Sequence, residues 1–191
     1  MNKQSVRPLA SLLAIALLLG IGGRASADKG PVRAYVQSGP GGIHYARCLP
    51  PAGGADGRTT VYEVHGERDR VLDRYDWFAS GGVALGWSPL AGQVAVAALF
   101  DVEPDAVGEW RGQEQLRFSI GGKRLKGYTA GELVAVGAPE RADSTGRRGA
   151  AVRVVGCEQV PGTNEYDFVV GVGEGEPLRV DITTGEPRAG R

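Results

Sequence analysis

Acidic and aromatic side chains cluster between residues 73 and 78, where the sequence reads Asp-Arg-Tyr-Asp-Trp-Phe. On a β-strand alternate residues share a face, so Asp73, Tyr75 and Trp77 would point the same way. Two aromatic rings beside a carboxylate can stack on a sugar ring and hydrogen-bond its hydroxyls, and Trp87 follows one predicted hairpin later. We therefore predict a ligand site formed by Asp73, Tyr75, Trp77 and Trp87. The alternative interpretation is that Tyr75 and Trp77 pack in the core with their polar tips satisfied.

Cys48 and Cys157 are the only two cysteines in the chain. In an oxidising compartment an even number of cysteines indicates a disulfide, which here would enclose 109 residues. Closing a loop of that length contributes roughly 4–5 kcal/mol in the chain-entropy model. We predict a Cys48–Cys157 disulfide that ties the first strands of the domain to a strand near its end.

Histidine-dependent catalysis is the alternative functional hypothesis. His44 or His65, beside a carboxylate or Cys48, would make the chain a small exported hydrolase or transferase. On a strand, however, His44 and Cys48 share one face at a separation of about 13 Å, too far for direct proton transfer. The sequence contains no G-x-S-x-G, H-x-H or H-E-x-x-H motif. We therefore predict no catalytic residue, no metal and no cofactor, and favour binding over catalysis.

Three carboxylates at alternate positions, Asp101, Glu103 and Asp105, bring together the kind of ligand that Ca²⁺ prefers. The pattern then departs from a calcium loop, because Ala106 and Gly112 stand where the loop requires Gly and Glu. We interpret this segment as a solvated acidic turn.

The first 27 residues have the three parts of a secretory signal peptide. Lys3 and Arg7 supply the positive beginning, residues 9–21 are mostly apolar, and Ala25-Ser26-Ala27 has the small-residue cleavage pattern. The apolar run is shorter than the roughly 20 residues that span a bilayer. We predict cleavage after Ala27, export through the general secretory route to the periplasm or the extracellular space, and no membrane span in the mature protein.

Cleavage would remove three basic residues and leave a net charge of −3, compared with zero for the whole chain. That balance offers no basic footprint for nucleic acid. We predict a protein, peptide or carbohydrate ligand and no nucleic-acid partner. The mature chain is predicted to be one domain over residues 28–191, with loop-rich edges at 28–58 and 139–149.

Glycine and proline occupy 31 and 11 of the 191 positions, well above average usage, and they separate short runs of alternating apolar and polar residues. Connections of three to five residues containing Gly are typical of β-hairpins. Strands are predicted over 59–65, 70–78, 83–87, 94–100, 116–120, 133–136, 152–155, 166–170 and 178–182. One or two helical turns are predicted over 103–110. The predicted fold class is all-β, an antiparallel β-sandwich or partly open β-barrel with at most one or two short helices.

Overall fold

The computed structural model describes residues 32–102, 109–142 and 148–188. The predicted signal peptide, and the carboxylates Glu103 and Asp105, lie outside these ranges. Within them the fold is all-β, as predicted, with one short α-helix, α1, at Ala130–Ala135. No helix in these ranges is both long enough and apolar enough to cross a membrane.

The described strands form three antiparallel sheets and one small hairpin. The first sheet has the order β1-β2-β3-β4, with bounds Tyr35–Ser38, His44–Leu49, Arg58–Glu63 and Arg70–Tyr75. The second has the order β5-β6-β7-β8, with bounds Gly82–Ser88, Gln93–Leu99, Glu114–Ile120 and Lys123–Thr129. The hairpin pairs β9 (Glu140–Ala142) with β10 (Arg148–Ala150). The third sheet has the order β11-β12-β13, with bounds Val152–Gln159, Tyr166–Val172 and Leu178–Asp181.

The second sheet is the middle layer of a three-layer sandwich. Along β6, Val94, Val96 and Ala98 belong to the apolar core shared with the first sheet. The alternate residues Ala95 and Ala97 belong to a second core shared with the third sheet. Because β6 is buried on both faces, its sequence is a continuous apolar run. The described sheets do not close into a barrel. Of the two predicted architectures, the β-sandwich is therefore the one that the structure supports.

Three segments differ from their predicted secondary structure. The predicted loop-rich edge over 28–58 contains strands β1 and β2. The predicted strand over 133–136 is wrong, since α1 includes most of it. Thr129 and Glu132 form a capping box in which each side chain accepts a hydrogen bond from the other's backbone N–H, and this outweighs the strand preference of the valines that follow. The predicted loop over 139–149 contains β9 and most of β10.

The predicted Cys48–Cys157 disulfide is also wrong, because both cysteines are free. Cys48 lies on β2 and faces the core between the first two sheets. Cys157 lies on β11 and packs against the core between the second and third sheets. The whole middle sheet therefore separates them. Packed sheets lie about 10 Å apart, whereas a disulfide requires Cα atoms within about 7 Å.

Candidate functional site

The four residues predicted to bind a ligand do not form one surface. Tyr75 is only 5% exposed, and its ring packs at 4.8 Å from that of Trp77 inside the first core. Trp77 in turn contacts Phe100 edge-on at 5.7 Å. Asp73 is half-buried, and burial raises the pKa of its carboxyl. Trp87 is separate from this group and is 43% exposed, so it alone presents a large ring area to ligand.

Trp87 lies at the mouth of a cavity of about 310 Å³. The cavity opens at β5, which is an edge strand of the middle sheet, and residues of all three sheets line it. This volume is at the lower end of the range for small-ligand sites. Its lining residues are Gly39, Pro40, Gly41, His44, Leu85, Gly86, Trp87, Val94, Cys157 and Tyr166.

His44 and Trp87 form a parallel stack across the cavity mouth. Their ring centroids lie 5.3 Å apart and their planes are inclined by only 6°. His44 begins β2 and Trp87 lies near the end of β5, so the stack joins the first and second sheets. Nε2 of His44 is covered and has no hydrogen-bond partner among the described residues. His44 therefore has one buried polar atom with unused hydrogen-bonding capacity.

Glycines allow the surrounding segments to approach β5 closely. The Gly-Pro-Gly turn between β1 and β2 folds over β5, where a Cβ on Gly39 would lie 3.1 Å from Cβ of Leu85. A Cβ on Gly86 would lie 2.7 Å from Sγ of Cys157, so only glycine fits opposite that thiol. In a strand, a glycine commonly marks such a close approach. Gly86, directly before Trp87, is therefore the sequence signal that could have located this site.

Two titratable groups that line the cavity, His44 and Cys157, have pKa shifts that favour their uncharged forms. Burial lowers the pKa of His44, and the nearby Glu63 carboxylate opposes this effect only in part. Burial also raises the pKa of the Cys157 thiol to about 11, with a further contribution from Asp167. A nucleophilic cysteine requires the opposite arrangement, a thiolate beside an imidazolium. The pKa shifts of His44 and Cys157 therefore disfavour a thiolate–imidazolium pair in this cavity.

The residues of the predicted catalytic alternative do not converge. Cys48 is fully buried and accepts a hydrogen bond from Oγ1 of Thr59 at 3.6 Å. His65 is exposed in the turn between β3 and β4. Among the described residues, no group of three or more His, Cys, Asp or Glu side chains is placed to hold a metal ion.

A larger cavity of about 690 Å³ lies against the third sheet. Four of its five charged lining residues are already paired within the protein, because Arg179 binds Glu158 at 2.9 Å and Arg188 binds Asp167 at 2.6 Å. A charged ligand would have to compete with these pairs. The smaller cavity at β5 is therefore the stronger candidate site.

No protein-family model matches the chain, and neither does any curated protein or solved structure. The geometry of the β5 cavity therefore carries the functional argument.

Proposed function

We propose that this chain is an exported, non-enzymatic β-domain that binds an apolar side chain of a peptide or protein in the β5 cavity. The observation that carries this proposal is the Trp87–His44 stack beside a mostly apolar cavity of about 310 Å³. Exposed aromatic rings at the rim of a concave apolar surface are typical of binding sites. The export component rests on the predicted signal peptide.

The cavity walls favour a peptide over a free sugar. Pro40 and the ring of Trp87 supply exposed apolar surface, and the nearly buried Leu85 and Val94 line the cavity behind them. A sugar would bury several hydroxyls, and each hydroxyl left without a partner costs binding free energy. An aromatic or aliphatic side chain makes no such demand.

A catalytic role has weaker support than binding. The only thiol that lines the cavity, among the described residues, is Cys157, and its raised pKa leaves little thiolate at neutral pH. His44 has a lowered pKa and can in principle accept a proton, but the carboxylate nearest to it along the strands, Glu63, is paired with Arg70 at 2.7 Å.

Binding is tested by titrating the purified protein with N-acetyl-leucinamide, N-acetyl-tryptophanamide and methyl glucoside, using NMR chemical-shift changes as the readout. We expect the two amides to perturb residues around β5 and the glucoside to have no effect. Trp87→Ala should weaken amide binding at least tenfold. Tyr62→Ala, which removes a partly buried aromatic ring from the first sheet, is the matched control and should leave binding unchanged. Binding of the glucoside alone would overturn the peptide assignment.

Export is tested separately, by measuring the intact mass of the protein recovered outside the cytoplasm of an expressing bacterial host. We expect a mass that corresponds to a chain beginning at Asp28. Recovery of the full 191-residue chain only in the cytoplasm would refute export and would leave the binding result unaffected.

A further inference from the structure

The outward face of the first sheet carries three arginines that have no counter-ion. Arg47, Arg58 and Arg74 are exposed, and none of them forms an ion pair with another described residue. Each arginine is next to a buried residue on its strand, and alternation therefore places the arginines on the opposite, solvent-facing side. These buried neighbours are Cys48, Thr59 and Tyr75. A local positive patch therefore lies on a protein whose predicted mature net charge is negative.

Strand register fixes the spacing of this patch. Arg47 pairs with Thr60, which pairs with Arg74, so the two arginines lie two strand spacings apart, or about 10 Å. Arg58 lies on the same strand as Thr60, two residues away along it, or about 7 Å. The three guanidinium groups thus spread over a flat area rather than converging on a single small anion.

Two tyrosines form a platform in the next row of the same face. Tyr45 and Tyr62 are register partners, and their rings stack with centroids 4.9 Å apart and planes inclined by 12°. The residue paired with Tyr45 on its other side is Ser38, whose small side chain leaves that flank open. Flat aromatic surfaces of this kind can stack against planar or ring-shaped groups.

Acidic residues border this face without neutralising the arginines. Asp69 accepts a hydrogen bond from the Tyr45 hydroxyl, and Glu63 pairs with Arg70. Asp56 and Asp76 lie in the segments beyond the ends of β3 and β4.

We propose that this face binds a linear acidic polysaccharide, with sugar carboxylates on Arg47, Arg58 and Arg74 and a sugar ring beside the Tyr45–Tyr62 stack. Guanidinium groups bind carboxylates in a bidentate manner, and a spread of separate cations fits a chain with repeated charges. A glycan is favoured over a nucleic acid because the proposed export places this face in the cell envelope or outside the cell. The preference for a glycan over a nucleic acid rests on the proposed export. The arrangement of the arginines and tyrosines does not depend on export. The face is also separate from the β5 cavity.

The test is a binding titration of the purified protein with polygalacturonate, which carries one carboxylate on each sugar. Fully methyl-esterified polygalacturonate has the same rings without the charges, and a thymidine 20-mer has charges without sugar carboxylates. We expect binding to polygalacturonate that weakens as salt increases, no binding to the ester, and at least tenfold weaker binding to the 20-mer. Equal or tighter binding to the 20-mer would overturn the glycan assignment. If the protein binds none of the three polymers, the proposal that this face is a binding surface is refuted.

Variants with matched charge locate the binding to this face. Changing Arg47, Arg58 and Arg74 together to Gln should weaken polygalacturonate binding at least tenfold. The control changes Arg141, Arg148 and Arg153 to Gln, which removes the same charge from exposed arginines that also form no ion pair with another described residue. It should change binding less than twofold. Equal losses in the two triple variants would refute the proposal, because they would indicate a general charge effect.

Discussion

Nε of Arg188 donates a hydrogen bond of 2.6 Å to Oδ1 of Asp167, a residue that is only 1% exposed. The same guanidinium also binds Asp181 at 2.5 Å and Glu165 at 2.7 Å. A single side chain therefore joins β12, β13 and the segment that follows β13. The pKa of Arg188 is raised, first by its hydrogen bond to Asp167 and then by the surrounding carboxylates.

Arg188→Met should destabilise the protein by about 2–3 kcal/mol, because it leaves the buried Asp167 carboxylate without its counter-ion. The measurement is urea-induced unfolding at neutral pH. Arg179→Met is the matched control, since the Arg179–Glu158 pair is largely exposed and should contribute less than about 1 kcal/mol. If the two variants lose the same free energy of unfolding, burial of the Asp167 carboxylate does not make its pairing with Arg188 more important than an exposed pair.

Both cysteines should be recovered as free thiols. The unfolded, unreduced protein should react with two equivalents of a thiol reagent, and its mass should lack the two-hydrogen deficit of a disulfide. In the folded protein only Cys157 should react, because Cys48 is fully buried. Since the pKa of Cys157 is raised to about 11, its alkylation rate should still be increasing at pH 10. A rate that is constant above pH 9 would show that the thiol is not shielded as described.

Gly86→Ala should destabilise the protein by roughly 1–3 kcal/mol, because the new methyl group would meet Sγ of Cys157 at 2.7 Å. Cys157→Ala in the same chain removes that sulfur and should recover part of the loss, which a double-mutant cycle measures as a coupling free energy. Gly156→Ala is the control, because its methyl group would enter open space and should change stability by no more than about 0.5 kcal/mol. Additive effects of the Gly86 and Cys157 changes would contradict the contact.

Trp87 fluorescence should report the protonation of His44, because the rings stack and a protonated imidazole quenches indole. Burial lowers the pKa of His44, so the transition should have its midpoint below 6.5, the usual value for histidine. His44→Gln should abolish the transition, whereas His65→Gln should leave it unchanged. As the pH falls, His44 in the unfolded state takes up a proton before His44 in the folded state. The free energy of unfolding therefore decreases as the pH falls through 6.5 and levels off below the folded-state pKa of His44. A midpoint above 6.5 would contradict the burial of His44.

Alternation and glycine spacing were sufficient to predict many of the strands, although β1, β2 and β8 were not predicted. The predicted strands over 59–65, 70–78, 83–87 and 94–100 correspond to β3, β4, β5 and β6, each within a few residues. These predictions succeeded because period-2 patterns and hairpin turns are local properties of the chain. Helix α1 was missed because its local capping box, Thr129 with Glu132, was not weighed against the valines beside it.

The candidate site could not be predicted in the same way because its members come from three sheets. His44 and Trp87 were each identified as notable, but their stacking depends on how the first two sheets pack. The cysteine prediction failed for a related reason. An even number of cysteines indicates a disulfide only if the fold brings the two thiols together. Here a complete sheet separates Cys48 from Cys157. Layer order is a non-local property that alternation within a strand does not encode.

The three-layer arrangement has a consequence for how the chain folds during synthesis. Each sheet is one continuous stretch of sequence, so its strands pair with near neighbours across short loops, which favours rapid pairing. The middle sheet, however, acquires its second cover only when β11–β13 have been made. Until then Ala95, Ala97 and Phe118 face water on a broad apolar surface. An emerging chain that stops before Val152 is therefore expected to associate with itself or with chaperones.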